Sequence, residues 1–188
     1  PLKWSIKNRD GIAVIIGNAN YIQAGNEVPD VTFAHNDAEA VREYVVNQLG
    51  FREGNIIFVK DASHTDFLTI FGSERNPKGK LYNWLKKGKS DVFVYYSGHG
   101  APSLDDGQGY MLSINSDPQY VDLTGYPLEV LYKNLSKLHA KSLTVVMDAC
   151  FSGMSSDGAL VTNASSIALR QVEPEKKLKD ATIITASD

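Results

Sequence analysis

Five short apolar runs punctuate this 188-residue chain: Ile12 to Ile16, Ile56 to Val59, Val92 to Tyr96, Leu143 to Met147 and Ala181 to Thr185. None shows the apolar-polar alternation of a half-exposed strand, so each suits a strand buried on both faces. The intervening stretches are long enough for helical crossovers, and such crossovers join parallel strands in right-handed βαβ units. The pattern predicts an α/β fold around a mostly parallel central sheet. Gly17 closes the first run as a tight turn would. Asn36 and Glu39 then make a capping-box-like helix start, followed by Ala38, Val41, Val45 and Leu49 at helical spacing, with Gly50 as the stop. Thr65 to Leu85 reads as a helical region broken by Pro77 and Gly79. Tyr110 to Ile114 reads as a short hairpin element, and Pro127 opens a helix to about Leu138. Ser155 to Lys179 lacks periodicity and reads as a surface loop longer than compact domains usually carry without a functional reason.

The length suits one domain burying roughly 70% of its unfolded surface. A formal net charge of −3 is of the wrong sign for a general nucleic-acid binder. The clusters Lys86-Lys87-x-Lys89 and Lys176-Lys177-x-Lys179 read as solvated surface. No apolar stretch reaches the ~20 residues of a membrane span and no signal-peptide pattern is visible, so no membrane partner is expected and the expected address is cytoplasmic. A single cysteine makes no internal disulfide.

That cysteine, Cys150, lies in Asp148-Ala149-Cys150-Phe151-Ser152-Gly153, directly after the fourth apolar run. About fifty residues upstream the third run opens into Ser97-Gly98-His99-Gly100. Both motifs therefore stand at the C-terminal edge of the sheet, where open α/β folds bind ligands. A thiol becomes a strong nucleophile as thiolate, which a nearby imidazole promotes, and the same ring can return the proton to a leaving amine. Glycines on both sides of His99 let a substrate backbone approach closely. Backbone N–H groups near Gly100 and Cys150 are placed to bind an oxyanion, an effect of about 2.7–4 kcal/mol per donor.

Gly11 to Asn20, Asn36-Asp37-Ala38, Tyr95-Tyr96-Ser97-Gly98-His99-Gly100 and Asp148 to Gly153 together resemble the caspase, metacaspase and paracaspase superfamily over nearly the whole chain. The resemblance implies a caspase-hemoglobinase fold, three layers with helices on both faces of the sheet. It also implies a His99–Cys150 dyad with an oxyanion hole from the amides of Gly100 and Cys150. Caspases, which cut after aspartate, have glutamine two positions before the cysteine. This chain has Asp148 there, as metacaspases and paracaspases do, with Asp37 as its second acid and Ser97 matching a metacaspase serine. Two converging carboxylates favour arginine, with its bidentate geometry, over lysine. The expected function is thus a cysteine endopeptidase acting on proteins or peptides with Arg or Lys before the scissile bond. Cleavage after aspartate would need an arginine near Asp37, and the nearest, Arg42, lies a turn into the helix.

The resemblance further implies a large-subunit region over 1–154, a linker over 155–179, and the start of a small-subunit segment over 180–188 that continues beyond this chain as its intramolecular partner. Self-cleavage is expected in the linker, at Arg170 first, with Lys176, Lys177 and Lys179 as other sites. No cofactor is required. Calcium stays open as an activator: Asp105, Asp106, Asp117 and Asp122 follow the histidine loop, but their spacing fits no EF-hand and suits turn residues. One departure is Ala34, where metacaspases typically have a cysteine. Two other readings compete: a catalytically idle caspase-like scaffold, which usually loses the histidine or cysteine kept here, and a phosphoacceptor receiver domain. The latter would want an acidic pair where Gly17-Asn18 stands.

Overall fold

A computed structural model describes residues 8–23, 28–105, 107–149, 154–155, 158–159 and 181–185. The first half of the chain runs through β1 (Ile12–Gly17), α1 (Ala34–Asn47), β2 (Ile56–Lys60), α2 (His64–Phe71), α3 (Lys80–Trp84) and β3 (Asp91–Ser97). There follow β4 (Gly100–Pro102), β5 (Gly109–Met111), α4 (Val121–Thr124), β6 (Tyr126–Pro127) and α5 (Leu128–Leu135). The chain then forms β7 (Ser142–Asp148), β8 (Met154–Ser155), β9 (Gly158–Ala159) and β10 (Ala181–Thr185).

The five apolar runs form one sheet in the order β10-β7-β3-β1-β2, and every neighbouring pair is parallel. Alternation along each strand splits the core in two. Val14, Ile16, Val94, Tyr96, Val145 and Met147 pack against Phe67 and Phe71 of α2, Leu81 of α3 and Leu131 of α5. Ala13, Ile15 and Tyr95 turn the other way, against Ala38 and Val45 of α1. The result is the three-layer α/β architecture of caspase-like folds. The hairpin element expected near Tyr110 is the middle strand of a small antiparallel sheet, β4-β5-β6.

One helix start differs from its sequence signature. Helix α1 begins at Ala34, and Phe33 is its N-cap without a side-chain bond. The Asp37 N–H already bonds the Phe33 carbonyl at 2.9 Å, so the chain is helical before Asn36 could cap it. The reciprocal capping box lies instead on α2, between Ser63 and Asp66.

The start of α1 presses on the end of β1. A Cβ at Gly17 would lie 2.4 Å from the Ala34 carbonyl oxygen and 2.9 Å from the Ala38 Cβ, both in a helix that cannot yield locally. Gly17→Ala should therefore cost about 1–3 kcal/mol. A thermal melt followed by circular dichroism should show a loss of several degrees, at roughly 2–4 °C per kcal/mol for a domain of this size.

Candidate active site

Strand pairing builds the site. In the β3–β7 register Ser97 stands beside Asp148, so the residues that end the two strands are neighbours at the sheet's C-terminal edge. The alternation that sends Tyr96 and Met147 to the α2 and α5 side sends Tyr95, Ser97 and Asp148 to the α1 side. Ser97 Oγ donates to Asp148 Oδ2 at 3.4 Å and Tyr95 Oη donates to the same oxygen at 3.5 Å. Bonds this long are weak, which suits a carboxylate with capacity left for a ligand. Asp37 stands half-buried in the first turn of α1. Burial and the Asp148 charge push the Tyr95 phenol up to about 12, against a pull from Ser97, and the charge of Asp37 adds to the push. Both acids thus bear on one phenol.

His99 is fixed from three sides. Its N–H donates to Tyr21 Oη at 3.1 Å, and its carbonyl accepts from Tyr96 Oη at 2.7 Å and from the Leu112 N–H at 2.9 Å. The ring lies 4.8 Å from the Tyr21 ring, centroid to centroid, tilted by 52°. Nε2 is 2.7 Å from the Pro29 carbonyl oxygen. A carbonyl can only accept, so Nε2 carries the proton and, in the neutral ring, Nδ1 carries the lone pair. The residue is buried, 8% exposed. Gly98 is required by space: a Cβ there would meet Tyr96 Oη at 2.7 Å and Tyr21 Oη at 2.9 Å. The Gly98 N–H donates to the Asp148 carbonyl at 3.3 Å, joining the histidine loop to the strand that leads to Cys150. Gly100 opens β4 and is buried.

The structure thus brings Ser97 and Asp148 together beside the His99 loop, with Asp37 in electrostatic reach. Cys150, Arg170, Lys176, Lys177 and Lys179 lie outside the described residues, as does Asp106. Asp117 accepts from the Gln119 N–H and caps a turn. Among the described residues no group of three acidic, histidine or cysteine side chains could hold a metal ion, and no helix is long and apolar enough to cross a membrane. Three contributors went unread in the sequence: Tyr21 and Pro29, which hold His99, and Tyr95, which bonds Asp148.

The family model for the caspase domain matches residues 10–187. The chain belongs to the caspase-domain family. It is also 27% identical over 157 residues to Metacaspase-1 of Eremothecium gossypii, an alignment covering 77% of this chain and 32% of that protein. This caspase domain therefore spans about a third of the length of that relative.

Proposed function

We propose that this caspase domain is the catalytic part of a cysteine endopeptidase that cleaves after arginine and, less efficiently, after lysine. The observation that carries the proposal is the pairing of Ser97 with Asp148 at the sheet edge beside a buried, singly oriented His99, with Asp37 half-buried in the first turn of α1. An arginine side chain entering there meets two carboxylates, and its planar fork can bond both oxygens of one. Arg42, the residue an aspartate-binding pocket would require, is engaged elsewhere. Its guanidinium lies 3.8 Å from Glu53 and 5.4 Å from the centre of the Phe58 ring.

In this reading His99 takes the Cys150 proton at Nδ1, because Nε2–H is committed to Pro29. The thiolate attacks the carbonyl carbon after the bound arginine, and the amides of Gly100 and Cys150 stabilise the resulting oxyanion. Collapse breaks the C–N bond as the imidazolium protonates the leaving amine. Water, deprotonated by the same ring, then hydrolyses the thioester and frees Cys150. The linker over 155–179 is the proposed self-processing segment, with cleavage after Arg170 ahead of Lys176, Lys177 and Lys179. The small-subunit segment that starts at 180 is its partner in the mature fold.

A fluorogenic peptide panel with Arg, Lys, Asp or citrulline before the cut tests the proposal, run with and without calcium and with Cys150→Ala as the inactive control. Hydrolysis in the order Arg, Lys and then, only slowly, citrulline, with none after Asp, is expected, and the calcium arm reads whether that ion activates. Preference for Asp, or full hydrolysis by Cys150→Ala, refutes the proposal. Sequencing new N-termini after incubation tests the self-cleavage sites.

A further inference from the structure

Asp61 follows β2 immediately, at the same edge of the sheet as His99 and Asp148, and no catalytic motif includes it. Its backbone takes φ 54°, a left-handed conformation that aspartate tolerates better than most residues. Its N–H donates to the Gly17 carbonyl at 2.9 Å, so the turn is locked to the end of β1. Its carboxylate then gathers four donors. Oδ1 accepts from the N–H groups of Ala19 and Asn20, at 2.8 and 3.1 Å, and from His35 Nε2 at 2.8 Å. Oδ2 accepts from Asn20 Nδ2 at 2.7 Å.

Those donors sit at the two ends of the segment joining β1 to α1. The segment closes on itself where the Val31 N–H bonds the Ala19 carbonyl at 2.9 Å and the Ile22 N–H bonds Asp30 Oδ1 at 2.9 Å. Tyr21 lies one residue beyond Asn20, and Pro29 two residues before Val31. These are the two groups that fix His99 by main chain and by ring. His35 stands in the first turn of α1, two residues before Asp37.

We infer that Asp61, paired with His35, is a positioning residue for the active site: it clamps the neck of the β1–α1 segment and so fixes the Pro29 carbonyl on the His99 ring and the start of α1 beneath Asp37. Burial alone would push the Asp61 carboxyl to titrate at higher pH. The Ala19 and Asn20 amides and His35 outweigh that push, so the carboxyl titrates below its ordinary value and stays charged wherever the enzyme works. The inference rests on reading His99 as the base of the dyad.

The test compares wild type with Asp61→Asn, His35→Ala and His35→Gln, each in protein that circular dichroism finds folded at the assay temperature. Asparagine keeps the shape and the tolerance for positive φ but turns one acceptor into a donor facing donors. Loss of charge-assisted hydrogen bonds should lower kcat about tenfold with a smaller rise in KM, since Asp37 rides on the same helix start, and His35→Ala should follow in the same direction. His35→Gln, which keeps an N–H donor, should recover most of the loss. The alkaline limb of Cys150 alkylation should also move to lower pH by roughly half to one unit, because a misplaced Pro29 carbonyl no longer stabilises the imidazolium. Wild-type kcat and an unmoved limb in both Asp61→Asn and His35→Ala overturn the inference, as does an activity loss that only tracks the unfolded fraction. If Asp61→Asn does not fold, the two His35 variants decide. A wild type that neither cleaves peptides nor shows a pH-dependent thiol defeats the dyad reading, and this inference with it. Normal wild type beside unchanged variants defeats this inference alone.

Discussion

Asp148→Ala is expected to lower kcat/KM for an arginyl peptide by roughly thirtyfold or more, since removing one partner of a hydrogen-bonded charge pair that the bound substrate buries costs about 2–5 kcal/mol. The citrullyl analogue keeps the shape of arginine without its charge, so its slow hydrolysis should barely change and the ratio between the two substrates should collapse. That ratio separates a lost specificity pocket from a damaged catalytic centre, which would slow both substrates together. The reason for a large effect is geometric. Asp148 is held at the sheet edge by its strand register, with Ser97 Oγ and Tyr95 Oη on one of its oxygens. Tyr95→Phe removes only a weak neutral donor and should cost about two- to tenfold. An Asp148→Ala enzyme that still prefers arginine over citrulline by the wild-type factor would show that the acid pocket lies elsewhere.

What the sequence disclosed divides by range. The five strands were legible because an apolar run is a local signal, and the parallel sheet followed from the length of the crossovers. Ser97 and Asp148 were legible as motif positions, but their adjacency is a fact of register between strands some fifty residues apart. The Asn36-x-x-Glu39 pattern puts the N-cap of α1 three residues late because it imitates a capping box, whereas the Phe33 carbonyl starts the helix with backbone alone. Tyr21, Pro29 and Asp61 were missed because their function lies in contacts spanning 78, 70 and 41 residues. Asp61 did carry one readable sign: it ends an apolar strand at the same edge as His99 and Asp148. Three strands ending in a polar, chemically capable residue at one edge is a pattern that local periodicity does not weigh.

Alkali should unfold this protein abruptly, and its buried tyrosines are the cause. Tyr21, Tyr96 and Tyr126 are fully buried, and burial raises each phenol: Tyr21 to about 12, and Tyr96 and Tyr126 well above the ordinary value. The neutral, protonated form is the one favoured in the fold. Their contribution is therefore complete below the ordinary phenol value of about 10 and is lost as pH climbs above it, while the unfolded chain ionises freely. Each such phenol costs about 1.4 kcal/mol per pH unit, so these three cost about 4 kcal/mol per unit, and Tyr95 and Tyr132, raised as well, add to that, against a total stability of about 5–15 kcal/mol. Cooperative loss of far-ultraviolet dichroism is expected between about pH 11 and 12, together with a step in tyrosinate absorbance. Tyr126→Phe isolates the cause, because it keeps the ring and loses only the hydroxyl that bonds the Gly72 carbonyl at 2.8 Å. It should be less stable than wild type near neutrality by about 1 kcal/mol. Its decline with pH should nonetheless be shallower by about a fifth to a quarter, so the two stability curves converge in alkali. Parallel curves, or smooth ionisation of all nine tyrosines near pH 10 in folded protein, would mean that these phenols reach solvent without unfolding.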